Sequence, residues 1–317
     1  MKSKSLVLLS GEGSTIPQAE ARALFLTYDQ DSTFHSPEPR VLIAESTSDP
    51  AVIGSRIAFA RRVGRLMEDR GELRKRIQGR RVRFRGFDLR EEEHPPDPAD
   101  YLEGDVTVDL DAPELEVTLV RGVRDYLALT APGQMRQGWS LRRPRKRPFF
   151  HPSAIFPKLS RALVNLSRCR EGDTFLDPFA GTGSIALEAH LTGASVVAVD
   201  LAEKMARGCL ANMHHFDQAW MGIIRADSVR LPVRKVGAVA TDIPYGRASS
   251  TRGRRPSEMV SLLVPALASA MDLRSVMAIM HPQEVPVKGT KDFAVLEEHH
   301  LHVHKLLTRA ITILERR

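Results

Sequence analysis

Cysteine is nearly absent from this 317-residue chain: only Cys169 and Cys209 occur, in separate helical patterns. A disulfide framework is thereby excluded, and both thiols are expected as reduced core residues of a cytoplasmic protein. Long apolar runs are missing too. No stretch approaches the roughly 18 apolar residues of a membrane-spanning helix. The opening Met1-Lys2-Ser3-Lys4-Ser5 leads into a run of only four apolar residues, Leu6 to Leu9. That favours a buried first strand over a signal peptide. Ser10-Gly11-Glu12-Gly13-Ser14-Thr15 lacks the closing Gly-Lys of a phosphate loop and is expected as an ordinary turn. No internal repeat is visible.

Charge is plentiful but uneven. The net charge is +7, yet residues 61–90 carry 12 basic against 4 acidic side chains. Residues 91–116 carry 11 acidic and no basic ones, and residues 134–147 six basic and no acidic ones. The basic candidates are Arg81, Arg83 and Arg85 in the first patch, and Arg136, Arg142, Arg143, Arg145, Lys146 and Arg147 in the second. Two such patches beside a domain boundary favour a polyanionic partner, with nucleic acid the economical choice.

With 42% hydrophobic residues the chain can build more than one core. Residues 1–50 are expected as a small α/β unit, with strands at Leu6–Leu9 and 40–45 around a helix at 17–26. Residues 51–76 show apolar positions Val52, Ile57, Phe59, Ala60, Val63 and Leu66, which predict one long amphipathic helix. Strands follow at 81–87, 106–110 and 115–120, the last two turned by Asp111-Ala112-Pro113. A Pro/Arg-rich stretch at 131–150 is expected as a basic linker. From 151 to 317 near-continuous apolar strands alternate with helices. Their order implies a parallel sheet covered on both faces, with a ligand at the carboxyl ends of its strands. Two closing strands with no helix between them imply an antiparallel hairpin at the edge.

Two motifs carry chemistry. Phe175-Leu176-Asp177-Pro178-Phe179-Ala180-Gly181-Thr182-Gly183-Ser184 describes a strand ending in a glycine turn that opens a helix. Gly181 and Gly183 let the backbone approach a ligand at a helix N-terminus. The turn is not Gly-x-Gly-x-x-Gly and carries no Arg or Lys for a pyrophosphate, which argues against NAD. Asp200 ends the next strand, where a carboxylate can accept two ribose hydroxyls. Asp227 follows the third strand, within reach of an adenine amine. Then, 58 residues beyond the first motif, comes Asp242-Ile243-Pro244-Tyr245-Gly246. An exocyclic amine on a base is a poor nucleophile because its lone pair is delocalised. The Asp242 carboxylate and the Ile243 carbonyl, both acceptors, could orient it, and Tyr245 could stack on the flipped base. Together the motifs describe methyl transfer from S-adenosyl-L-methionine.

At these residues the chain resembles the archaeal THUMP-domain tRNA (guanine-N2)-methyltransferase family, the type that modifies guanine at position 10. Residues 147–166 resemble its lead-in helix, Asp177 to Gly183 its cofactor loop, 302–309 its closing hairpin and Leu9-Ser10-Gly11-Glu12 its amino-terminal unit. The resemblance implies a Rossmann-like class I α/β methyltransferase domain with a mostly parallel seven-stranded sheet at 151–317. An α+β unit at 1–50 and a shortened THUMP-like RNA-binding domain at 51–130 precede it. It implies S-adenosyl-L-methionine held by Asp177, Phe179, Gly181, Gly183, Asp200 and Asp227, catalysis at Asp242, Ile243 and Tyr245, tRNA as substrate, and a small zinc-bearing activator protein as partner. Where the family has Pro this chain has Ile243, from which a less rigid loop is expected. His300, His302 and His304 share a strand face, but nothing completes a metal site and none is expected. A DNA or other RNA amino-methyltransferase, a protein glutamine methyltransferase and a non-catalytic RNA-binding protein stay open as alternatives.

Overall fold

The computed structural model describes the chain apart from residues 1, 13, 91–96, 134–137, 217–221, 245–252 and 305–306, and apart from the side chains of 303, 304 and 307. It divides into two compact units, Met1–Gly13 with Pro17–Gln137, and Ser14–Ile16 with Gly138–Arg317.

The first unit runs β1 (Ser3–Leu9), α1 (Ile16–Tyr28), β2 (Thr33–Glu38), β3 (Val41–Ser46), α2 (Pro50–Arg56), β4 (Ala60–Leu66), α3 (Arg70–Ile77), β5 (Arg81–Asp88), β6 (Thr107–Val108), β7 (Leu115–Arg121) and β8 (Asp125–Thr130). Its strands form one eight-stranded sheet in the order β2-β3-β1-β4-β8-β7-β5-β6. The apolar run of β1 serves both faces. Val7 and Leu9 pack with Leu24 and Phe25 of α1, while Leu6 and Leu8 pack with Val120 and Tyr126. Each such fully buried aliphatic side chain contributes about 1.5–3 kcal/mol.

The long helix expected over 51–76 is instead α2, β4 and α3. Asp49 caps α2 by accepting from Ala51 N–H at 2.8 Å, and Asp69 caps α3 by accepting from Glu72 N–H at 2.8 Å. Between them the buried Glu20 carboxylate of α1 accepts the N–H groups of Ala58 and Phe59, both at 2.8 Å. The following residues then pair with the free edge of β1, Val63 opposite Val7. On its other edge β4 pairs with β8, and Gly64 permits that approach, since a Cβ there would lie 2.6 Å from the Leu129 carbonyl oxygen. The segments expected as separate units, 1–50 and 51–130, thus share one sheet. The strands flanking Asp111 do not turn onto each other either, because β6 and β7 each pair with β5 in parallel.

The second unit holds α4 (Pro157–Leu166), β9 (Thr174–Asp177), α5 (Ser184–His190), β10 (Ser195–Asp200), α6 (Glu203–Phe216), β11 (Gly222–Arg225), β12 (Val236–Asp242), α7 (Pro256–Ala268), β13 (Met271–Pro282), β14 (Phe293–His304) and β15 (Leu307–Arg316). Its seven strands are ordered β11-β10-β9-β12-β13-β15-β14. The pairings from β11 to β13 are parallel, and β15 is antiparallel to both β13 and β14. The expected class I sheet with its antiparallel edge hairpin is therefore present. The chain moves outward from β9 to β11 and then returns to β12. The switch point lies between β9 and β12, where a ligand crevice opens at the strand ends. Among the described residues no helix is long and apolar enough to cross a membrane.

The stretch expected as a basic linker contributes from Gly138 onward to this second unit. Arg142 Nε donates to Glu188 at 2.7 Å, and Arg147 Nη1 donates to Ser184 Oγ at 2.7 Å. Arg161 lies 2.9 Å from the same Glu188, which is wholly buried on α5. A buried carboxylate needs donors on its oxygens, and Arg142 and Arg161 supply them.

Candidate active site

Strand β9 delivers Asp177 to the switch point, and the chain then loops through Pro178 to Gly183 into α5. Gly181 and Gly183 both adopt the left-handed region, at φ 53° and 81°. Gly183 is doubly constrained, because a Cβ there would stand 2.7 Å from Cys209 Sγ of α6. Asn212 of α6 fastens the loop from below. Its amide donates to Thr182 O at 2.8 Å and Phe149 O at 3.0 Å, and accepts from Phe149 N–H at 2.8 Å.

A cavity of about 350 Å³ opens above this loop. Asp177, Asp200, Asp227 and Asp242 line it, with Phe179, Gly181 and the segment from His151 to Ile155. Among the described residues, the Arg254 guanidinium and His151 stand against these four carboxylates. Such a lining suits a ligand with positive centres and no phosphates.

Asp177 Oδ1 accepts the Thr241 hydroxyl at 2.9 Å and the Phe179 N–H at 3.3 Å. Its Oδ2 is buried with no hydrogen-bond partner among the described residues. Burial pushes the Asp177 carboxyl up to about 7; the Thr241 hydrogen bond opposes this, and nearby Asp200 and Asp242 add to it. Asp200 accepts Gly181 N–H on Oδ2 at 2.9 Å and Ala202 N–H on Oδ1 at 2.8 Å. Burial raises its pKa and these bonds oppose the rise. Asp227 Oδ1 takes the Arg254 guanidinium at 3.0 Å.

At the other end Asp242 closes β12. Burial pushes its carboxyl up to about 6, against the pull of Arg309, whose Nη2 donates to Asp242 Oδ1. Ile243 is fully buried, and its N–H donates to Met280 O at 2.8 Å. A less rigid loop is expected at Ile243, and residues 245–252, which follow Pro244, lie outside the described ones. A proline has no N–H for that bond, so isoleucine pins this position by a means proline lacks. Tyr245 lies outside the described residues.

The model of the RMKL-like methyltransferase domain matches residues 144–309. The tRNA (guanine(10)-N2)-dimethyltransferase of Methanothermobacter thermautotrophicus is 30% identical, over 98% of this chain and 99% of its own. The chain belongs to this methyltransferase family. The tRNA (guanine(10)-N2)-dimethyltransferase of Methanocaldococcus jannaschii is also 30% identical, over 57% of this chain and 52% of that one. The crystal structure of TrmN from Thermus thermophilus superposes with a TM-score of 0.53 at 19% identity, covering 99% of this chain and all (100%) of that one, a likeness of fold.

Not every residue expected at this methyltransferase's sites is where the charge pattern suggested. Arg83 is buried with Glu116 at 2.9 Å, and Arg81 lies 3.4 Å from Asp109 and 3.5 Å from Glu114. Arg142 and Arg147 turn inward as described, and Arg136 is outside the described residues. Arg85, Arg143, Arg145 and Lys146 are exposed. Among the described residues no cluster of three or more His, Cys, Asp or Glu side chains could hold a metal. Four side chains behind the cavity lining carried no signal in the sequence: Thr241, Asn212, Glu188 and Arg309. Each acts through a partner at least 27 residues away in the chain.

Proposed function

We propose that this protein transfers methyl groups from S-adenosyl-L-methionine to the exocyclic N2 amine of a guanosine in tRNA, at position 10 as its relatives' names state, adding one or two. The observation that carries this is the convergence of Asp177, Asp200 and Asp242 from three strand ends onto one cavity. The partnerless Oδ2 of Asp177 fits the donor's ammonium group, and Asp200 keeps lone pairs for the ribose hydroxyls beyond its two backbone bonds. Asp227 reaches the adenine amine, while Phe179, Gly181 and Gly183 shape the floor. When bound, S-adenosyl-L-methionine supplies an electrophilic methyl group.

The protein's own work is at the amine. Asp242 and the Ile243 carbonyl each accept one amine hydrogen, so the lone pair points into the cavity. Asp242 then balances the positive charge that grows on nitrogen and can hold the proton that leaves. A carboxylate tolerates the N1–H that guanine presents beside its amine and repels the acceptor N1 of adenine. Tyr245 provides a stacking face for the flipped base.

The exposed Arg85, Arg143, Arg145 and Lys146 face tRNA in this reading, and the first unit acts as the THUMP-like RNA-binding part. Replacing Arg143, Arg145 and Lys146 by Ala should lower the slope of log affinity against log salt by about 0.7–0.9 for each phosphate no longer neutralised. The family resemblance adds a small zinc-bearing activator, the low cysteine content fits a cytoplasmic setting, and adding such an activator to the purified chain should raise turnover. The deciding experiment incubates the chain with unmodified tRNA and labelled donor and analyses the nucleosides by mass spectrometry. N2-methylguanosine, with or without the dimethyl form, is expected. Label found only in adenosine, DNA or protein overturns the reading.

A further inference from the structure

Arg309 reaches the site from two strands away in the same sheet, since β13 lies between β15 and β12. Strand β15 runs antiparallel to β13, so its first residues sit at the rim formed by the carboxyl ends of β12 and β13. Arg309 stands opposite Pro282, while Asp242 stands opposite Met280 on the same strand β13. The guanidinium therefore reaches across the end of β13 to β12. There Nη2 donates to Asp242 Oδ1 and lies 3.5 Å from the Ile243 carbonyl oxygen. The Arg309 side chain is 3% exposed against 20% for Asp242, which itself lines the cavity. The cation is behind and the carboxylate is in front.

A bridge that served only to hold strands together would need the carboxylate alone. This one engages both acceptors assigned to the target amine. Resting on that assignment, we propose that Arg309 is the positioning residue for the amine: it fixes Asp242 by one oxygen, leaves the other for an amine hydrogen, and sets the separation of the carboxylate from the Ile243 carbonyl. An aspartate alone turns freely about its last torsion, whereas one guanidinium nitrogen shared between Asp242 Oδ1 and the Ile243 carbonyl ties the two acceptors together; a lysine ammonium, a compact point charge on a flexible stem, does not reproduce that geometry. The cation also favours the ionised, acceptor-only form of Asp242 against its burial. Among the described residues, the other titratable groups near the pair are Asp177 on β9 and His281 on β13, with Glu298 of β14 behind it through Thr312, and Asp200, Asp227 and Arg254 line the same cavity.

The test compares wild type with Arg309→Lys, Arg309→Gln and the double variant Asp242→Asn/Arg309→Gln. Cofactor affinity is read by calorimetry, folding by circular dichroism, and methylation of a tRNA transcript across pH 5.5 to 8.5, on the order of the range where carboxylates raised by burial titrate. Arg309→Lys should keep cofactor affinity within about twofold and lose about 10–100-fold in kcat, the scale of a misplaced reacting group. In Arg309→Gln the acid limb of the kcat profile should move to higher pH, because Asp242 loses the charge that favours its ionised form. A kcat for Arg309→Lys within about twofold of wild type, or an acid limb that stays in place, overturns the proposal. Should Arg309→Gln fail to fold, the double variant decides: if it folds, the lone buried carboxylate was the defect and the lysine variant carries the test. If it fails as well, Arg309 is structural and the proposal falls. A wild type that methylates some other group would defeat the guanosine reading, while the acid limb of that reaction would still report on Arg309.

Discussion

At the glycine-loop end of the cavity, Asp177, Gly181, Gly183 and Asp200 fall within one short stretch of chain, and Asp200 is held by backbone N–H groups of Gly181 and Ala202. At the Asp242 end, the carboxylate depends on an arginine 67 residues away, on another strand and in the opposite chain direction. The first end is built from local turn chemistry and survives as long as β9, α5 and β10 do. The second exists only once β15 has docked against β13. Ligand binding and turnover should therefore respond separately to mutation.

The largest effect should follow from Asp242→Ala. If its interaction with the amine strengthens only as charge develops there, kcat should fall by about 10³-fold or more while cofactor affinity stays within about twofold. The pH dependence has a defined sign. The Asp242 pKa is raised, to about 6, and the acceptor role needs the ionised form, so wild-type kcat should fall as pH drops through about 6. Initial rates at saturating substrate, with calorimetry for the cofactor, check both parts. A variant that keeps near wild-type turnover would remove Asp242 from the chemistry and collapse the distinction between the ends.

Next in size, Asp200→Ala should weaken cofactor binding by about 1–3 kcal/mol, since two hydroxyls lose a charged acceptor. Saturating cofactor should restore much of the rate, and an unchanged titration would sink the ribose assignment. Asp177 sharpens the comparison through stability. Its folded pKa is raised to about 7, so the stability it contributes is complete below the unfolded carboxylate range and is lost as pH rises through about 7. Cofactor-free Asp177→Asn should lose less stability than wild type between pH 5 and 8, on the order of the carboxylate's shifted titration range, and should bind cofactor more weakly. Parallel melts in the two proteins contradict this if they coincide at every pH. The smallest effect is expected from Ile243→Pro, which removes the N–H donated to Met280 O. A loss of about 0.5–1.5 kcal/mol in chemical denaturation is anticipated, with the carbonyl acceptor retained.

The second unit was legible in the sequence because its strands are short apolar runs closed by Asp177, Asp200 and Asp242, and its turns carry glycines that local backbone geometry demands. The first unit was less so. Apolar positions from Val52 to Leu66 fit a helical period, yet the free edge of β1 and the buried Glu20 carboxylate draw the middle of that segment into β4. Propensity is a weak prior beside such tertiary pairing. Charge misled for a related reason. The clusters at 81–85 and 142–147 look alike as strings of letters, but Arg83, Arg142 and Arg147 turn inward while Arg85, Arg143, Arg145 and Lys146 stay outside.

By itself the sequence determined much of the methyltransferase half: the succession of strands and helices, the glycine turn beneath the cavity and the carboxylates at the strand ends, each set by residues close together in the chain. Only the tertiary structure decided which arginines are buried and which cation stands behind Asp242. Burial and ion pairing depend on distance in space, and the antiparallel return of β15 brings Arg309 to a strand end that nothing in its local sequence announces.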